Sequence, residues 1–218
     1  MSKIKAGLNE KLYNKCRSRN LKIKHAAEVG VYLPETSNIL KFIEDGIKAT
    51  LVEADPEYVL KIKEYFRAFS NVTIFPFAVW DRSGFIILNK AESSTFAEEL
   101  ITSPAIVNDK YISDSEKKIT VVAKTFDEID DGTIDLLSVD IEGGEWYVIK
   151  HLVSKPDVIS IETHWKNYSN PFLNEINSWM ENNNYSIWYI DKSDTVYFKN
   201  SLFELSPFEK IENKLKGR

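Results

Sequence analysis

Short apolar runs that end on a carboxylate recur along this chain, separated by stretches of helical spacing. The clearest reads IDLLSVD at residues 134–140. A run of this length is too short for a helix, and its near-continuous apolarity suits a strand buried on both faces. The same pattern predicts strands at 24–30 (KHAAEVG), 50–54 (TLVEA), 72–75 and 157–162 (DVISIE). Between them, residues 35–45 predict a helix with Ile39, Leu40, Phe42 and Ile43 on one face and Gly46 as its stop. Asp55-Pro56 opens another helix, continued by Tyr58, Val59, Ile62, Tyr65 and Phe66. A turn at 81–84 precedes a strand in FIIL, and 119–123 reads as one more. A helix at 172–183 leads into an antiparallel pair, 185–190 and 195–198, around Asp191-Lys192-Ser193-Asp194.

Strands alternating with helices predict a doubly wound α/β fold, Rossmann-like, with a mostly parallel sheet to which the closing hairpin adds an antiparallel edge strand. The length, 218 residues, suits a single domain. The expected layout is a basic N-terminal helical segment at 1–24, the α/β domain at 25–200 and a tail at 201–218. Residues 89–118 break the alternation and are long for a plain connector, so they are expected to cover a ligand pocket, with Ser93, Ser94, Thr95 and Phe96 facing it.

Charge narrows the partners. The net charge of -5 argues against nucleic acid, whose phosphates need a basic face. The first 25 residues are the exception: eight lysines and arginines stand against Glu10 alone. They read as a solvated helix face or, failing that, a contact for an acidic partner or a phosphate-bearing substrate. Cys16 is the one cysteine, which fits a reducing compartment. No apolar run approaches the ~20 residues of a membrane span, and the first residues lack an apolar signal core. The expectation is a cytoplasmic protein without membrane insertion.

Ligands of an open parallel sheet bind beyond the carboxyl ends of its strands. Those ends read Glu28-Val29-Gly30, Glu53-Ala54-Asp55, Asp140-Ile141-Glu142-Gly143-Gly144-Glu145 and Glu162-Thr163-His164. A single acid there is commonly a helix cap; four sets on one rim ask for a ligand. The acid ending the second strand can accept hydrogen bonds from a ribose diol. The first turn, GVYLPE, lacks the glycine-rich pattern that seats a pyrophosphate. That disfavours a dinucleotide and favours a phosphate-free cationic cofactor such as S-adenosylmethionine.

From about His25 to His164 the chain resembles the FkbM-type methyltransferases, a class I S-adenosylmethionine-dependent group that mostly methylates hydroxyls of sugars and natural products. The matching pieces are Glu28-Val29-Gly30, Val52-Glu53-Ala54-Asp55-Pro56, the run from Phe77 to Gly84 (FAVWDRSG), Asp140-Ile141-Glu142-Gly143-Gly144-Glu145, and the strand ending Ile161-Glu162-Thr163-His164. The D-x-E-G-x-E element is the most specific. Glu28, Tyr32 and Pro34 depart from the Asp, Asn and Gly usual there, and Ser138 stands where a lysine is frequent.

The resemblance implies cofactor contacts from Glu28, Gly30, Glu53, Ala54, Ala78 and Asp140. Catalysis is expected from Asp140, Glu162 and His164, with His164 as general base or with the three side chains holding Mg²⁺ or Mn²⁺. Glu142 and Glu145 serve either catalysis or the following helix N-terminus. Trp165 serves either a sugar face or loop packing. The expected activity is O-methylation of a sugar, glycan or glycosylated metabolite. The rivals are a non-sugar acceptor (with no Asn-Pro-Pro-Tyr-like signature after the strand at 134–140) and a cofactor-binding module without turnover, which Tyr32 and Pro34 invite. Glu53→Ala is expected to weaken cofactor binding while leaving the fold nearly intact.

Overall fold

The computed structural model describes residues 10–91 and 94–216. Lys3 and Lys5 of the basic arm, and Ser93, lie outside the described residues. In chain order the elements are α1 (Glu10–Ser18), β1 (His25–Val29), α2 (Leu40–Glu44), β2 (Lys48–Val52), α3 (Pro56–Tyr65), β3 (Val72–Phe75), β4 (Ala78–Val79), β5 (Gly84–Asn89), β6 (Phe96–Ala97), α4 (Pro104–Asn108) and β7 (Lys118–Lys124). There follow β8 (Leu136–Val139), α5 (Glu145–Lys150), β9 (Val158–Glu162), β10 (His164–Trp165), β11 (Tyr168–Ser169), α6 (Leu173–Asn182), β12 (Tyr185–Ile190), β13 (Asp194–Lys199) and α7 (Pro207–Lys216).

The central sheet runs β12-β13-β9-β8-β1-β2-β3. Strands β3, β2, β1, β8 and β9 are parallel; β13 lies antiparallel to β9, and β12 antiparallel to β13. Every residue of β1, β8 and β9 is buried, as their apolar runs require. Successive side chains feed opposite faces. Ala26, Leu136 and Val158 join a core with Ile39, Ile43, Leu51, Ile62 and Trp188. Ala27, Leu137 and Ile159 join the other, with Phe126, Val148, Ile149 and Ile176. The chain enters the sheet at β1, steps outward through β2 and β3, then crosses back to β8 on the other side of β1. The order reverses between β1 and β8, and the crevice for a ligand opens there.

Two expectations change. The helix expected at 35–45 is α-helical only from Leu40 to Glu44, behind a 3₁₀ turn at Pro34–Thr36. Ser37 Oγ donates to Glu28, and the Asn38 amide donates to Glu28 Oε1 at 2.8 Å, so the backbone there is tied to β1 instead of winding into a helix. FIIL and 119–123 do form strands, but outside the central sheet. They pair antiparallel in a second sheet of order β4-β7-β5-β6. Their ladder ends at Asn89 opposite Lys118, so residues 90–117 leave and rejoin the fold at one point. Within that excursion β6 returns to pair with β5, and Ser103 caps α4.

Candidate active site

The ends of β1 and β8 meet so closely that only glycine fits between them. Gly30 has φ +85°, and a Cβ there would sit 1.8 Å from the Asp140 carbonyl oxygen. Its amide donates to Val52 O, and the Asp140 amide donates to Val29 O, both at 2.9 Å. Gly30 thus has a structural reason independent of any ligand. The loop that follows is shaped by Glu53. Its carboxylate accepts four backbone amides: Val31 (3.2 Å) and Tyr32 (2.9 Å) on Oε2, Ala54 (2.8 Å) and Asp55 (2.9 Å) on Oε1. Tyr32 takes a left-handed conformation, φ 58°, which turns its amide to Glu53 and its ring edge onto Tyr58 at 4.5 Å. These bonds revise the expectation that Glu53 is dispensable for folding. The helix cap that the acid might have been is supplied by Asp55, which accepts from the Glu57 amide.

Glu145 repeats the arrangement after β8. Fully buried, it accepts the Ile141 amide at 2.9 Å, the Gly143 amide at 3.1 Å on both oxygens, and the Asn170 side chain. It therefore serves the turn before α5. Glu142 in that turn has φ 60°.

A cavity of about 500 Å³ opens beyond these ends, within the roughly 300–1,000 Å³ usual for small-molecule sites. Glu28, Gly30, Glu53, Ala54, Ala78, Asp140 and Glu162 line it, as do Ser94, Thr95 and Trp165. His164 does not line it: its Nδ1 is 2.9 Å from Thr163 Oγ1 and its amide donates to Ser193 O. The trio Asp140–Glu162–His164 is therefore not assembled. Among the described residues, the acids whose ligand atoms lie within 4.8 Å of one another are Asp140, Glu145 and Glu162. The reason is local. After Glu162 the chain turns into the β10–β11 hairpin, which carries His164 off the rim.

Sequence reasoning missed Asn38, Tyr58, Trp80 and the loop Asp191–Asp194, which also line the cavity. The loop was legible only as a turn. Because β13 runs antiparallel to β9, with Asp194 opposite Glu162, the hairpin tip falls on the same rim as the parallel strand ends.

The cavity wall is strongly acidic: Glu28, Glu53, Asp140, Glu142, Glu162, Asp191 and Asp194 face Lys192, the one cation among the described lining residues. Burial, then neighbouring carboxylates, holds Asp140 well above the carboxylate range and lifts Glu162 to about 12 and Glu142 to about 9. Burial lifts Glu28 to about 7 against its bonds from Ser37 and Asn38. Oxygens of Asp140 and Glu162 lie within 4.8 Å of each other, and their mutual repulsion adds to burial in raising the proton affinity of the pair. Buried oxygens of Asp140 (Oδ1), Glu142 (Oε2) and Glu162 (Oε2) lack a donor, as does the Tyr168 hydroxyl beside them. Buried acceptors of this number suit a donor-rich or cationic ligand.

Strand order, the reversed β13 next to β9, and a strand-end cavity ringed by carboxylates in place of a phosphate-binding glycine turn define a class I methyltransferase fold. The chain belongs to the FkbM methyltransferase family: the model described as "Methyltransferase FkbM domain" matches residues 25–187. Solved structures with a similar fold include "a putative caffeoyl-CoA O-methyltransferase" of Staphylococcus aureus, at TM-score 0.51 and 12% identity over 88% of this chain and 82% of that one. Another is "a putative O-methyltransferase" of Klebsiella pneumoniae, at TM-score 0.48 and 12% identity over 89% and 80%. At 12% identity the first of these likenesses speaks for the fold alone, and the second carries no argument. No match was found among curated proteins.

Proposed function

We propose that this chain transfers the methyl group of S-adenosylmethionine to a hydroxyl of a sugar, glycan or glycosylated metabolite, with Asp140 and Glu162 handling the hydroxyl proton. The observation that carries the reading is the pair itself: two cavity-lining carboxylates whose oxygens lie within 4.8 Å, each with a buried oxygen lacking a donor.

The lining fits the cofactor by charge. Its sulfonium and ammonium suit an acidic wall, and Glu28, Ala54 and Ala78 stand at the ends of β1 and β2 and on β4, where its tail and adenosine would lie. The bound cofactor supplies an electrophilic methyl, which leaves S-adenosylhomocysteine when the acceptor oxygen forms its bond to carbon. Glu53 holds the loop that shapes this end of the cavity and, with four amides on its two oxygens, would bear on the ribose mainly through that loop and its charge.

On the acceptor side, Ser94 and Thr95 offer hydroxyls from the 90–117 excursion and Trp165 offers a ring for an apolar sugar face. The ionised member of the Asp140–Glu162 pair orients the acceptor hydroxyl and takes its proton as the C–O bond forms. Raised proton affinity suits a base, because a carboxylate of ordinary pKa would hold that proton poorly. The mutual approach of Asp140, Glu145 and Glu162 leaves room for a second version, in which Asp140 and Glu162 would hold Mg²⁺ or Mn²⁺ and the cation would supply acidification of the hydroxyl. Glu145 contributes little to it, since its lone pairs are already committed.

Methyl transfer from labelled S-adenosylmethionine to a panel of free sugars, nucleotide sugars and glycosides tests the reading, with the product mass identifying the acceptor. Cofactor binding without turnover on any hydroxyl acceptor would replace it by a binding module. Full activity after exhaustive chelation would remove the metal version and leave the carboxylate pair as base.

A further inference from the structure

Helix α7 is oriented opposite to an ordinary surface helix. A reciprocal cap starts it: Glu209 Oε2 accepts from the Ser206 amide at 2.9 Å, and Ser206 Oγ accepts from the Glu209 amide at 3.3 Å. Its polar side faces the protein. Arg19, just past the end of α1, grips both oxygens of Glu209 at 2.8 and 2.7 Å, and Asn213 donates to the carbonyls of Ile187 and Trp188 on the edge strand β12 at 2.9 and 3.0 Å. The opposite side carries Phe208, Ile211 and Leu215, spaced i, i+3, i+7 and 74, 60 and 68% exposed. Core packing normally claims such a stripe.

Cations gather around it. Lys210 and Lys214 are exposed on the same helix, along one flank of the stripe. On the protein-facing side Lys15 and Arg19 pair with Glu209 and Lys11 with Asp191, so the cations beside the stripe are those of α7 itself, with Glu212 on its other flank.

We propose that α7 lies on an anionic lipid surface, its apolar stripe at the acyl boundary and its lysines, Lys210 and Lys214, among the headgroups. A second copy packed antiparallel through the stripe would set the lysine flank of one copy against that of the other, and the oligomeric state tests a second copy in either orientation. A nucleic acid has phosphates for the lysines but no use for three exposed apolar side chains. The attachment is peripheral, since no helix among the described residues is long and apolar enough to cross a membrane. The inference is independent of the methyl-transfer reading.

Co-sedimentation of the full chain with vesicles of phosphatidylcholine alone, or with phosphatidylglycerol added, tests it. The protein is expected to sediment with the anionic vesicles only, and less as salt rises. The triple variant F208S/I211S/L215S should partition at least about tenfold more weakly, and K210E/K214E should weaken it as well. All of these side chains are solvent-exposed, so both variants should melt with the wild type, and a circular-dichroism melt checks that they do. Absence of binding to anionic vesicles, or undiminished binding by the triple variant, overturns the proposal. So does a wild-type dimer that the triple variant converts to monomer, which would make a second copy the occupant of the stripe.

Discussion

Replacing Glu53 by alanine tests whether one carboxylate builds the cofactor end of the cavity. Four backbone amides lose their acceptor. Two belong to deeply buried residues, Val31 (3% exposed) and Asp55 (2%), and find no replacement without rearrangement. The other two, on Tyr32 and Ala54, lie where water reaches the cavity wall. An orphaned buried donor costs about 1–3 kcal/mol, so the two together give roughly 2–6. Burial raises the proton affinity of Glu53, so removing its carboxylate returns part of that. A net loss of about 3 kcal/mol is expected, which for a domain of this size lowers the melting temperature by roughly 6–12 °C.

Glu53→Gln shifts in the same direction by a smaller amount, since one oxygen remains and the amide nitrogen points a donor at two others. Thermal melts of the ligand-free proteins measure this. Calorimetry with S-adenosylhomocysteine, well below the lower melting point, measures the ribose contribution separately. An alanine variant that melts within about 2 °C of the wild type would refute the argument that four amides depend on this side chain.

Gly30→Ala should fail to yield folded protein, because its Cβ would collide with the Asp140 carbonyl from a left-handed backbone; circular dichroism of the soluble fraction decides. Asp140→Asn and Glu162→Gln should each reduce kcat/KM by on the order of 10²–10³, whereas His164→Ala should stay within about threefold; the reverse ranking in a methyl-transfer assay would move the proton acceptor to His164. The ligand-free protein should lose stability as pH rises. Glu28 and Glu142 have folded values raised from 4.5 to about 7 and about 9, so their contribution is whole below 4.5 and is lost through those values. Melts across that window should fall, and Glu142→Gln should flatten the upper part of the curve.

The central strands were legible because burial on both faces demands continuous apolar runs, and β1, β8 and β9 have them. The same criterion could not say to which sheet β5 and β7 belong. FIIL looks fully buried in sequence, yet Phe85 is exposed and Ile86 buried, and β7 alternates likewise from Val121 to Ala123. Apolar residues on a wet face erase the period-two signal that would have separated these strands from the central sheet. The helix at 35–45 was misjudged for a different reason. Nothing in its own spacing announces that Glu28, about ten residues earlier, takes its first amides. The hairpin tip at 191–194 joined the cavity through the β13–β9 register, which no local pattern encodes.

The acids of the site divide by what already occupies their oxygens, and that division separates structure from chemistry. Glu53 and Glu145 look in sequence like Asp140 and Glu162: strand-end acids on one rim. Backbone geometry sorts them. Tyr32 and Glu142 adopt left-handed conformations, and with Gly143 they turn successive amides inward toward a waiting carboxylate. Glu53 and Glu145 fill with amide donors and lose the capacity to act on a ligand through most of their lone pairs. Asp140 and Glu162 face each other instead, receive no amide, and keep free oxygens under strong mutual repulsion. That repulsion is stable only while a proton or a cation neutralises it. A fold that has to hold its loops with buried carboxylates therefore concentrates negative charge on the rim, and the same charge favours a cationic methyl donor and a base able to keep the acceptor's proton.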